Sequence, residues 1–111
     1  MRNEVTITLA GEERIMRATF TAIVAIEKQL GKGMTAIISQ IADGDLSITE
    51  SAYIIYHGLR GYDDKRLTFD QVGDGIVAAG IGNISMAVVE FVSKALSGVS
   101  VGKPETPEAA N

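Results

Sequence analysis

Five apolar stretches with helical spacing are each closed by a glycine: Gly31, Gly44, Gly61, Gly80 and Gly98. A glycine just past the last helical turn takes the left-handed conformation without steric strain, so it marks where a helix stops. Two stretches also open on a capping box, Ser47-Ile48-Thr49-Glu50 and Thr68-Phe69-Asp70-Gln71. There the first hydroxyl and the fourth side chain satisfy amides that the helix leaves free. Starts and stops this close together leave room only for short helices with tight connections. In 111 residues those helices must share one core. Hydrophobic residues make up 46% of the chain but aromatic ones only 5%, with no tryptophan, so that core has to be aliphatic.

The N-terminus has a different period. Val5, Ile7 and Leu9 alternate with Thr6 and Thr8, the two-residue repeat of a half-buried strand. Ala10-Gly11-Glu12-Glu13 reads as a turn, and Arg14 to Thr19 as a second strand, giving a hairpin. A lone hairpin is marginal in water, so its apolar face is expected to pack on the helices. The first helix starts near Thr19 or Thr21, carries Ile23, Ile26 and Leu30, and stops at Gly31. Met34, Ile37, Ile38 and Ile41 form the stripe of the second. The third runs from Ser47 to Gly61 with Ile48, Ala52, Ile55 and Leu59 inward. The fourth follows Thr68 and buries Phe69, Val72 and Ile76. Gly73 and Gly75 weaken it unless another element approaches closely. The fifth spans about 83–97, with Ile84, Val88, Phe91, Val92 and Ala95 inward. The expected fold is α+β and mostly α: an N-terminal β-hairpin packed on about five short helices, one domain over 1–98. Residues 99–111 hold both prolines and lose the apolar period, and are expected to be a disordered tail.

Several function classes fall away. The net charge is −4 and the ten basic residues are scattered, against the clustered Lys and Arg that phosphate contacts need. No run approaches the roughly 20 apolar residues of a membrane helix, and no signal peptide is visible, so a soluble cytoplasmic protein is expected. The absence of cysteine removes disulfides and thiolate chemistry. His57 is the one histidine and has no second His or Cys to share a metal or a proton relay with, so it reads as a boundary residue of the third helix. A calcium loop counted from Asp43 would need Gly and Glu where Ile48 and Ile54 stand. Gly73-Asp74-Gly75 and Gly80-Ile81-Gly82 lack the spacing and the preceding strand of a phosphate loop. Asp63-Asp64 and Asp70-Asp74 read as solvated charge, and Glu27 as a surface acid beside Lys28. Catalytic, metal and cofactor sites are therefore not expected. The remaining candidates are Tyr53 and Tyr56, three residues apart beside the core stripe of the third helix, where tyrosine suits a protein interface.

A longer pattern runs through the ordered part: the Gly11 turn; Arg-Ala-Thr-Phe-Thr-Ala-Ile-Val-Ala-Ile-Glu from Arg17 to Glu27; the Leu30-Gly31 stop; Gly-Leu-Arg-Gly at Gly58 to Gly61; Thr-Phe-Asp-Gln-Val from Thr68; and Ala-Leu-Ser-Gly ending at Gly98. It resembles the small tail-assembly chaperone family of gene transfer agents and siphovirus-like prophages, sometimes labelled a tail tube protein, over about residues 3–98. The resemblance implies a non-enzymatic protein that binds the tape measure protein, with tail tube subunits as a second candidate partner, while a phage-like tail is built. The alternative is a structural tail component, tube or terminator, that self-assembles. One hairpin supplies little β-sheet for a tube, which favours the chaperone.

Overall fold

The structure, a computed structural model, describes residues 3–97. Two antiparallel strands, β1 (Glu4–Leu9) and β2 (Glu12–Arg17), pair from Glu4↔Arg17 to Leu9↔Glu12. Ala10 and Gly11 alone make the turn, with φ of 52° and 79°. Positive φ at both central positions is the type I′ geometry, whose twist matches that of the flanking strands. The turn is thus two residues shorter than Ala10–Glu13, and β2 begins and ends two residues earlier than its expected Arg14–Thr19. Val5, Ile7, Leu9 and Met16 face inward and are buried.

Five helices follow: α1 (Phe20–Leu30), α2 (Met34–Ala42), α3 (Ile48–Gly61), α4 (Phe69–Ala79) and α5 (Ile81–Ser97). The architecture is α+β and mostly α. The Thr19 hydroxyl accepts from the Ala22 amide and starts α1, and left-handed Gly31 stops it. Both capping boxes form, at Ser47 with Glu50 and at Thr68 with Gln71. Gly31, Gly44 and Gly80 adopt positive φ as helix stops. Gly61 does not. The helix runs through it to Tyr62, and Asp63 takes the left-handed position at φ 72°. Glycine stands at 61 for space, because a Cβ there would overlap the Arg17 carbonyl oxygen. Gly98, and the tail expected over 99–111, lie outside the described residues.

Helix α3 is the centre. It packs against α1, α4, α5 and β2, while α5 covers β1 and α2. Ile26, Ile37, Ile54, Ile55, Val72, Ile76, Phe91 and Val92 are fully enclosed. Ile48, expected inward, is 45% exposed at the first turn of α3, and Ile54 is buried instead. Close approach, not fraying, explains Gly75: a Cβ there would stand 3.0 Å from Leu9. Gly73 faces open space.

Two polar arrangements tie the elements together. Arg14 is 5% exposed, and its Nε donates to the Leu9 carbonyl at 2.9 Å. Its guanidinium lies 3.9 Å from the carboxylate of Asp64, a side chain only 7% exposed. Arg66 pairs with the same carboxylate at 2.9 Å and with Glu12 at 3.2 Å. Asp64 is therefore a buried tie between hairpin and α3–α4 loop and not solvated charge, whereas Asp63 remains open to solvent. Elsewhere, Glu50 accepts from Lys32 at 3.0 Å and from Gln40 at 2.8 Å while serving its own capping box.

Candidate functional site

The clearest site candidate is an aromatic groove between α1 and α3. It has a volume of about 450 Å³ and is lined by Ala25, Lys28, Gln29, Tyr53, Tyr56, His57 and Phe69. Spacing on each helix builds its walls. Ala25, Lys28 and Gln29 lie one turn apart on α1, and Tyr53, Tyr56 and His57 do the same on α3. The inward faces of both helices hold the aliphatic core, so these flanking positions are left to border the gap.

Phe69, the first residue of α4, closes the third side. Its ring stacks on Tyr53 with centroids 4.3 Å apart and meets Tyr56 edge-on at 5.9 Å. His57 packs edge-on to Tyr56 at 5.1 Å. Edge and offset geometries of this kind suit the ring quadrupoles and fix the rings in place. Arg60 lies over the Tyr56 ring at 4.7 Å, donates to its hydroxyl at 3.1 Å, and donates to the Leu67 carbonyl at 3.2 Å. Burial, and secondarily the Arg60 charge, push the His57 pKa down. That shift favours the neutral imidazole, whose ring lines the groove.

The two tyrosines singled out in the sequence are brought together here, half-buried, with His57 half-buried beside them. Sequence reasoning placed Phe69 in the core and missed Arg60 and the α1 wall. The capping box before Phe69 was a signal for a helix start, but nothing local says that this start abuts α3.

Other clefts differ in chemistry. On the far side of Phe69, Ile48, Ala52 and Val77 form an apolar floor rimmed by Asp70 and Asp74. Between α2 and α5 a cleft of about 360 Å³ is lined by Ile41, Leu46, Ile81, Val88 and Val89 and by no ionisable side chain. The α1–α3 groove alone among these combines stacked aromatic rings with cationic side chains. Among the described residues no group of three His, Cys, Asp or Glu could hold a metal ion, and no helix is long and apolar enough to cross a membrane. Glu27, read as a plain surface acid, instead accepts from the Met34 amide at 2.9 Å and caps α2 from α1.

A hairpin fronting a five-helix cluster, with an aromatic groove as its most developed surface feature, defines a small α+β domain. The chain belongs to the family described as phage tail tube protein, GTA-gp10, which it matches over residues 2–98. It is thus a protein of a phage-type or gene-transfer-agent tail family. No curated protein matches the chain, and no solved structure does.

Proposed function

We propose that the protein is a tail assembly chaperone: it binds the tape measure protein in the cytoplasm of the producing cell, and performs no catalysis. Tail tube subunits are a second partner. The observation that carries this reading is the α1–α3 groove. Half-buried Tyr53 and Tyr56, with Phe69, offer flat apolar surface at low entropic cost, while Lys28 and Arg60 give its rim a charge opposite to that of the whole molecule. A tape measure protein is a long helical chain with apolar faces. A helix-in-groove contact with such a chain would cover what otherwise aggregates.

The family description favours a second reading, a structural subunit of the tail tube. The two-stranded sheet argues against it, since a tube wall built by strand pairing needs more edge than one hairpin has.

Co-expression with the tape measure protein from the same gene cluster separates the two. The chaperone reading expects a soluble complex, weakened by Lys28→Glu and by Tyr56→Ser, with the tape measure protein insoluble alone. Rings or tubes of this chain without partner, unaffected by those substitutions, would establish the structural reading instead.

A further inference from the structure

The two edges of the hairpin are finished differently. The strand β2 reads Glu-Glu-Arg-Ile-Met-Arg, and α3 abuts its outer edge where a Cβ on Gly61 would overlap the Arg17 carbonyl. Charge and cover are common ways of closing a strand edge. The strand β1 reads Glu-Val-Thr-Ile-Thr-Leu, and its one charge, Glu4, is held by Arg17. It has no lysine, proline or bulge to discourage pairing.

Register decides which groups face outward. The strands pair from Glu4↔Arg17 to Leu9↔Glu12 around a two-residue turn, so the hydrogen-bonded pairs fall on the odd residues of β1. The Ala18 amide donates to the Asn3 carbonyl at 2.9 Å, in keeping with that parity. The main-chain groups of Glu4, Thr6 and Thr8 therefore point away from β2. At Glu4 the carbonyl accepts from Lys94 of α5 at 2.9 Å. Among the described residues no hydrogen bond reaches the main chain of Thr6 or Thr8.

Beside these groups lies a slot of about 350 Å³. One wall is the edge from Thr6 to Thr8, and the other is the Asn83, Met86, Ala87 and Glu90 face of α5; the buried side chains of Ile7 and Ile84 also line it. Asn83, Ala87, Glu90 and Lys94 recur at helical spacing, so one stripe of α5 follows the β1 edge. Met86, on the slot wall, is 78% exposed. We propose that the slot takes an extended segment of another protein, which adds to β1 as a third strand. Its main chain bonds to Thr6 and Thr8. Alternate residues, apolar, face Met86 and Ala87, and the residues between them stay in solvent beside the threonines.

Size and shape select this occupant over a second copy. A six-residue edge is about 20 Å long and offers on the order of 200 Å², against the roughly 800 Å² per partner of a stable interface. Because α5 flanks the edge, pairing β1 with β1 of a second copy would press two α5 helices into the width of one strand, about 4.8 Å, where packed helices need about 8–10 Å. A single extended segment brings no such bulk. With β2 closed, each molecule has one edge to offer, so copies of this chain do not string together by strand pairing. The inference does not rest on the chaperone reading.

The test uses full-length ¹⁵N-enriched protein and an acetylated, amidated heptapeptide in which valine alternates with threonine and lysine. In the free protein the Thr6 and Thr8 amides should exchange faster than that of Ile7. The peptide should slow them about tenfold once it is at about nine times its Kd, and should shift the Met86 and Ala87 signals while leaving Tyr53 and His57 in place. N-methylation of its threonines and lysines, whose amides would face β1, should abolish the effect; N-methylation of its valines should not. Thr6→Pro removes an edge N–H without breaking a ladder bond, and Met86→Lys sets a charge on the slot. Each should weaken binding at least tenfold with helical circular dichroism unchanged. Equal binding by the two methylated peptides, or no slowing at Thr6 and Thr8 with millimolar peptide, overturns the proposal. Protection of these amides without peptide means that the slot is already filled, and protection that grows with protein concentration means that a second copy fills it; either result also overturns the proposal. None of these readouts involves the tape measure protein, so failure of the chaperone reading would leave them standing.

Discussion

Gly61 and Gly73 sit in helices of similar length and look alike in sequence, but they stand for opposite physics. At Gly61 a methyl group meets backbone, the Arg17 carbonyl, which cannot step aside without moving β2. Gly61→Ala is expected to destabilise the protein by about 2 kcal/mol or more, as overpacking against fixed atoms does. At Gly73 a methyl group meets nothing, and Gly73→Ala is expected to stabilise by about 0.5–1 kcal/mol through helix propensity and a less flexible unfolded chain. Urea titration of both variants checks the contrast. Asp64 is the other decisive residue. Hydrogen bonding from Arg66 pulls its carboxyl from the ordinary 3.8 down to about 2 against the opposing effect of burial, with the charges of Arg66 and Arg14 adding to it. A pKa lowered by folding gives stability that is complete above the unfolded value and fades as pH falls through the folded one. Stability should therefore drop between about pH 4 and pH 2. Asp64→Asn should lose on the order of 2 kcal/mol at pH 7 and little at pH 2, so that the two unfolding curves converge in acid.

Among the elements, α2 depends most on its neighbours. Its N-cap is Gly33, which offers no side chain, and the Glu27 carboxylate fills that role from the preceding helix. Glu27→Ala should cost about 1 kcal/mol, the usual worth of a cap, and hydrogen exchange should show the loss concentrated at Ile37 and Ile38, with α3 protected as before. Helix starts were legible because a capping box is a local device: four residues contain both partners. Stops were legible at Gly31, Gly44 and Gly80 for the same reason. The failures are non-local. The stop read at Gly61 is a packing contact with a strand forty-four residues earlier in the chain, 61 minus 17. Asp64 looked solvated because Arg14, its buried partner, is on a different element. Ile48 followed the helical period but came to lie where α3 projects beyond the core.

Among the described residues the hairpin, which has no stability of its own, shares one core with the helices, so strand and helices are expected to unfold together. Met16 is fully buried and reaches across to α3, where its side chain stands 3.1 Å from the position of a Cβ on Gly58, beside the Phe91 ring of α5. Met16→Ala should cost about 3 kcal/mol. Helical circular dichroism and amide protection of β1 should still be lost together, since strand and helices share the core. Separate transitions would contradict a single core. The candidate site was half legible at this scale. Tyr53 and Tyr56 announced themselves by their spacing beside the core stripe, but the opposite wall on α1 and the Phe69 edge exist only once three helices have docked. The groove has one further consequence, optical rather than structural. With no tryptophan and three tyrosines in the chain, two of them lining the groove, the protein's ultraviolet emission originates largely at that site. Any molecule that fills the groove should change the brightness or anisotropy of that emission, so the unmodified protein carries its own reporter of occupancy.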